Sequence, residues 1–149
     1  MRRAAILCCA AVLVGCSKAE NKPSEEAAVA LPRPIALSEV AGKWTVKAMN
    51  EARDTTLVTY TLTATADTSG WTISFPNRPP IAAHVTVQGA GLVIDAGPYA
   101  SVLRRGVQVT THGVYRLENG NLVGTTIAHY TTTGADSVRR IVTEGTRQQ

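Results

Sequence analysis

Val58-Thr59-Tyr60-Thr61-Leu62-Thr63-Ala64-Thr65 decides the fold. Val58, Tyr60, Leu62 and Ala64 alternate with four threonines. Successive side chains of a strand point to opposite faces, so a period of two turns the first set inward and the threonines to water. The same alternation recurs downstream. Trp71, Ile73 and Phe75 oppose Thr72 and Ser74. Val85 and Val87 oppose His84, Thr86 and Gln88. Val107 and Val109 continue through Tyr115 and Leu117, opposite Gln108, Thr110, His112 and Arg116.

Working outward, Thr, Val, Ile and Tyr dominate from Ile35 onward, punctuated by Gly and Asn. This pattern predicts eight strands. They are Gly42 to Met49, Thr55 to Ala66, Gly70 to Phe75, Ile81 to Gln88, Gly91 to Ala96, Ser101 to Glu118, Asn121 to Thr132 and Asp136 to Arg147. The sixth is too long to run straight, and a bend or bulge is expected near Gly106 or Gly113. The connections include Asp67-Thr68-Ser69, Gly89-Ala90, Asn119-Gly120 and Thr133-Gly134-Ala135. Asn-Gly is a strong hairpin signal, because both central residues of a type I′ turn need positive φ. Parallel strands would need long crossovers, and no span is free for them. The expected fold is all-β, an eight-stranded antiparallel up-and-down β-barrel, with a β-sandwich as the alternative. Closing eight strands removes both edges and leaves an interior for side chains or one small ligand.

Upstream of the strands, Arg2 and Arg3 precede an apolar run from Ala4 to Val14, too short to span a bilayer as a helix. It ends in Leu13-Val14-Gly15-Cys16: an aliphatic residue, a tolerant position, a small residue, then Cys. This ending resembles the lipobox of bacterial lipoproteins. The resemblance implies a signal peptide over residues 1–15, cleavage before Cys16 and acylation of that cysteine with diacylglyceryl and fatty-acid (palmitate-type) chains. A plain secretory leader is the alternative. Two or three acyl chains hold a protein on a membrane durably, whereas one holds it only marginally. Residues 16–34 read as a lipidated N-terminus and flexible tether, polar and broken by Pro23, Pro32 and Pro34. At random-coil scaling such a tether spans roughly 25 Å. Residues 35–147 form the predicted barrel domain. Ser17, rather than Asp, follows the cysteine, which in enteric-type sorting implies the outer membrane, facing the periplasm.

Of 149 residues, about 134 remain after the leader, enough for one ordinary domain. Cys8 and Cys9 leave with the leader and Cys16 is taken by lipid, so the domain is expected to hold together by packing without disulfides. The formal charge of +4 falls to about +2 once Arg2 and Arg3 are removed. Basic residues are scattered, with no stripe interleaved with aromatics, so nucleic-acid binding is not expected.

Gly42-Lys43-Trp44 opens the first strand. It resembles the Gly-x-Trp of lipocalins and their calycin relatives. That resemblance implies a tryptophan plugging one barrel end, with an Arg or Lys from near the last strand across its ring in a cation–π contact. Gly42, Trp44, Arg139 and Arg140 are the candidate plug residues, with Arg147 a further basic partner. The lipocalin Thr-Asp motif and C-terminal helix are missing. An ordinary core tryptophan after a turn glycine remains the alternative.

Other candidates carry less. Arg104-Arg105 and Arg139-Arg140 cannot act as clamps, because strand neighbours point apart. One arginine of each pair is expected in water, the other along the surface or at the rim. His84, His112 and His129 come from three strands with no metal-ligand spacing, and His129 shares a face with Val123 and Ile127. Asp95 sits beside Val93 on its face, with an outward orientation expected. No nucleophile elbow, phosphate loop or His-Glu-x-x-His motif occurs. The sequence therefore predicts no enzyme, no catalytic residues, no metal and no cofactor. It predicts a lipid-anchored barrel that binds an apolar or amphipathic small molecule, or a partner protein, without chemistry. The competing expectation is a structural or interaction module of the envelope with a filled core. The small inward residues Ala64, Ala66, Ala83 and Gly124 permit a cavity but also suit a collapsed interior.

The lipobox generates a direct prediction. Cys16→Ser leaves the precursor uncleaved or frees it from membranes, since no thioether to lipid can form. Intact-mass analysis of membrane fractions should show acyl mass on Cys16 in the unmodified sequence. A mature chain beginning elsewhere, or without acyl mass, contradicts the reading.

Overall fold

A computed structural model describes residues 33–149. The leader, Cys16 and the tether up to residue 32 lie outside the described residues. A single turn of helix, α1 (Leu37–Val40), leads into eight strands: β1 (Gly42–Met49), β2 (Thr56–Ala64), β3 (Thr72–Ser74), β4 (Ile81–Gln88), β5 (Gly91–Ala100), β6 (Gln108–Glu118), β7 (Asn121–Tyr130) and β8 (Val138–Arg147). Each strand pairs antiparallel with the next, and β8 returns to pair with β1. The result is a closed up-and-down barrel rather than a sandwich. Closure gives every strand two neighbours, although the short β3 pairs with only part of β2 and β4.

Alternation sets the inside. Trp44, Val46 and Ala48 of β1 are buried, as are Leu62 and Ala64 of β2 and Leu92, Ile94 and Ala96 of β5. Only β1 and β4 have the expected limits; β3, β7 and β8 are shortened at their ends, and three differences change how the wall is built. Residues 101–107 form a loop, so β6 starts at Gln108 and Gly113 lies within regular pairing. The expected bend falls at Gly106, whose φ of 74° turns the chain and breaks the strand there. β5 instead runs on to Ala100, with its register against β6 shifting between Ala96 and Tyr99. Gly97-Pro98 sits at that irregularity, where an irregular strand tolerates a glycine and a residue without an N–H. β2 ends at Ala64, leaving Ala66 exposed in a loop.

The two barrel ends differ. At one end lie the short turns after β4 and β6. In the second, Asn119 (φ 50°) and Gly120 (φ 80°) both take the positive φ of a type I′ turn. Longer loops at residues 50–55, 75–80, 101–107 and 131–137 ring the other end, which forms the mouth.

The short-turn end is plugged. α1 lies there with Val40 fully buried, and the Ile35 N–H donates to the Gly89 carbonyl at 3.1 Å. A helix end leaves carbonyls without partners. Here side chains from β1 and β8 supply them. The Trp44 Nε1–H donates to the Val40 carbonyl at 2.8 Å. Arg147 donates through Nη2 to the Glu39 carbonyl at 2.6 Å and through Nη1 to the Ala41 carbonyl. The same guanidinium stacks 4.3 Å from the Trp44 ring centroid. Gly42 makes this approach feasible: at φ 132°, a Cβ there would come 2.8 Å from Arg147 Nη1. Gly-x-Trp spacing thus leaves space for the guanidinium beside the ring it covers.

Trp44 is wholly buried, so Trp44→Ala should lower the unfolding free energy by about 3–5 kcal/mol. Urea denaturation measures it. A loss below about 1 kcal/mol, the scale of an ordinary surface change, would mean the ring does not hold this end of the barrel closed.

Candidate functional site

The barrel is filled unevenly. Near the plug, Trp44, Val46, Leu62, Trp71, Leu92 and Leu122 are each at most 2% exposed and pack in one cluster with Ile73, Val85 and Ile94. The Trp71 Nε1–H, which would otherwise be stranded, donates to the Asp67 carbonyl at 2.7 Å. Above this layer a smaller cluster of Ala48, Val109, Ala128, Tyr130 and Ile141 rings the mouth. Between the two lies a cavity of about 50 Å³. That is room for three or four water-sized spheres.

Tyr115 sets the cavity floor. Its ring lies against Gly113 of its own strand and Gly124 of β7. A Cβ at Gly113 would meet the Tyr115 hydroxyl at 2.8 Å, and one at Gly124 would meet ring atom Cδ1 at 2.7 Å. The space that Gly124 opens is therefore occupied by an aromatic ring. Ala64 and Ala83 belong to the packed lower cluster. The small residues that do face the cavity are Ala48 and Ala128.

All four tyrosines of the chain line this space: Tyr60, Tyr99, Tyr115 and Tyr130. Each came from a different strand, so no local motif announced them. The Tyr115 hydroxyl shares a 2.8 Å hydrogen bond with Thr126 Oγ1 and lies 3.5 Å from the Tyr60 hydroxyl. Tyr60, Phe75 and Tyr99 form an aromatic row, with centroid separations of 5.4 and 5.9 Å. The remaining wall is aliphatic, from Val58, Ile73, Ile94, Val109 and Ile141. Burial pushes the Tyr60 phenol well above the ordinary tyrosine range, and the neighbouring Tyr115 hydroxyl adds to the shift. Burial likewise raises Tyr99.

The loop 101–107 forms one side of the mouth, with Val102 and Leu103 facing the cavity. Buried Ser101 fixes its turn by accepting from the Leu103 and Arg104 amides at 3.1 and 3.0 Å. Arg78 donates to the Ala100 and Ser101 carbonyls from the β3–β4 loop. From the other side Arg104 lies 4.2 Å from the Tyr130 ring centroid and donates to the Asp136 carbonyl. Two arginines thus tie this loop to its neighbours.

Arg139 and Arg140 are not at the plug. β8 runs antiparallel to β1, so its first residues lie at the mouth and its last beside Trp44. Arg139 is half-buried opposite Ala128, and Arg140 reaches Glu51 at 3.6 Å. Arg147, the Cα partner of Trp44, takes the stacking position. Arg105 is exposed while Arg104 lies at the rim. Asp95 points outward and meets His112 Nδ1 at 2.7 Å, both half in water. His84 opposes Asp95 in the register, giving a cross-strand row on the outer wall. His129 is exposed beside it. Among the described residues no three His, Cys, Asp or Glu side chains converge as a metal site, and no helix is long and apolar enough to cross a membrane.

No protein-family model, curated protein or solved structure matches the chain.

The raised Tyr60 phenol sets a pH dependence. A phenol kept neutral by folding contributes stability that is fully present below its unfolded pKa of about 10 and is lost as pH rises through the folded value. The urea midpoint should therefore stay level with respect to this group up to about pH 10 and fall above it. Tyr60→Phe should fall less steeply. Parallel alkaline profiles for the two proteins would place the titration elsewhere.

Proposed function

We propose that the protein is an envelope lipoprotein, anchored through Cys16 and facing the periplasm from the outer membrane. Its barrel binds an apolar or amphipathic small molecule without chemical change. The observation that carries this reading is the cavity between the packed lower core and the mouth, enclosed by aliphatic and aromatic side chains with a few hydroxyls. Apolar walls with a small number of placed polar groups are the usual make-up of a small-molecule site. The Gly42–Trp44–Arg147 stack supports a lipocalin-like reading of the barrel, because it places a Trp plug and a C-terminal arginine where that resemblance expects them. Fold likeness alone does not establish function, so the weight rests on the cavity.

The alternative is a structural or interaction module of the envelope. What favours it is the size of the space: about 50 Å³ is far below the few hundred that a large ligand fills. On the binding reading, only the slender end of a ligand enters, and the rest leaves through the mouth.

Titration with 1-pentanol decides between them. Binding should shift the methyl resonances of Val109, Ala128 and Ile141 and raise the melting temperature. Ala128→Phe, which fills the space from β7, should abolish both effects while the spectrum remains that of a folded barrel. If the unaltered protein shows neither effect, the filled-module reading stands.

A further inference from the structure

One hydroxyl inside the barrel has nothing to bind. Thr143 is 2% exposed, its side chain lines the cavity, and its Oγ1 has no hydrogen-bond partner among the described residues. Buried polar groups in native proteins are nearly always paired, because desolvation without a partner is unfavourable. Valine would fill the same volume without that penalty.

Thr143 is flanked by small residues, and the Tyr115 ring lies over the β7 one. Its Cα partners are Ala48 on β1 and Gly124 on β7, so neither flank carries a large side chain. Two residues earlier on the same inward face, Ile141 is the register partner of Thr126. Thr126 and Thr143 therefore share one wall. Thr126 is bonded to Tyr115, whose hydroxyl lies at the outer limit of hydrogen-bond distance from Tyr60. Each hydroxyl can donate once and accept twice, so this cluster keeps spare capacity of both kinds.

No Asp, Glu, Lys, Arg or His lines the cavity. A charged ligand would be desolvated there with no opposite charge beside it. Of the cations around the mouth, Arg104 and Arg78 are bonded to loop carbonyls, and Arg139, half-buried on β8 opposite Ala128, is not among the residues lining the cavity.

We infer that the cavity selects a neutral ligand carrying a hydroxyl or carbonyl oxygen, with Thr143 as its principal hydrogen-bond partner and the Tyr60–Tyr115–Thr126 hydroxyls completing the polar subsite. This inference rests on the binding reading above. The ligand class is an alcohol, phenol or ketone with an apolar stem, its oxygen seated at the β7–β8 wall. The raised pKa of Tyr60 fits the assignment, since burial keeps its phenol a neutral donor.

The test compares three probes of equal chain length: 1-pentanol, pentane and pentanoate. Affinity is read from methyl shifts at Val109 and Ile141. One added hydrogen bond to a neutral group predicts pentanol binding about fivefold tighter than pentane, with pentanoate weakest at pH 7. In Thr143→Val the pentanol preference should drop to near onefold while pentane binds as before or better. Tyr60→Phe serves as a second variant, and a partial loss is expected there. Equal binding of pentanol and pentane, or an unchanged preference in Thr143→Val, overturns the inference and leaves the binding reading intact. Preference for pentanoate overturns it too. If none of the three binds, both readings fail together.

Discussion

The barrel depends on one stack at its closed end. Arg147 covers the Trp44 ring and donates to two carbonyls at the end of α1, while Trp44 donates to a third. Three structural needs meet there. The helix end is satisfied, the indole N–H is satisfied, and the first and last strands are held in register. Removing Trp44 would leave the buried Val40 carbonyl unpaired, whereas the carbonyls that Arg147 caps lie at the exposed rim, where water can replace it. Glu39 extends the arrangement outward. It accepts from the Ala36 amide at 3.2 Å and pairs with Arg33, and the amide bond and Arg33 together hold its carboxyl below the usual range.

From that end the interior loosens upward. The plugged half is filled by two tryptophans and branched aliphatics. The upper half is lined by four tyrosines and small residues. Tyr115 marks the transition, because only glycines beneath it allow its ring to lie against the wall. The tightest packing is thus where the helix docks, and the open space lies beside a loop tied by two arginines. Such a gradient is common in binding proteins, whose ligand-facing loops belong to their less stable regions.

Much of this was legible beforehand. The alternation around Val58–Thr65 fixed the inward face, and the predicted limits of β1 and β4 agree with those observed. Asn119-Gly120 announced its turn. Antiparallel closure also implied that the end of β8 must meet the start of β1, which singles out Arg147 over Arg139 and Arg140. That geometric signal was present but outweighed by the conspicuous Arg-Arg pair. Other features were not readable. The fifth strand was expected to stop at Ala96, yet β5 runs on through Gly97-Pro98 at an irregular register. The cavity is built from single residues on many strands, and its key feature, an unpaired Thr143 hydroxyl, depends on which neighbours happen to be small. Threonine is ordinary in strands, so nothing local distinguished Thr143 from Thr59 or Thr61.

Seven of the eight strand pairings join sequence neighbours, whereas the eighth joins β1 to β8. Arg147 and its acceptor at Ala41 are 106 residues apart. Each hairpin can therefore form as soon as its two strands are available, but the wall stays an open sheet until the ten residues of β8 arrive. During that interval β1 and β7 present unpaired backbone, and the apolar interior is open on one side. Open edges of this kind are where chains recruit one another. The last strand consequently governs the time a newly made chain spends vulnerable to aggregation. A shortened C-terminus would harm yield and assembly well before it altered the shape of any hairpin.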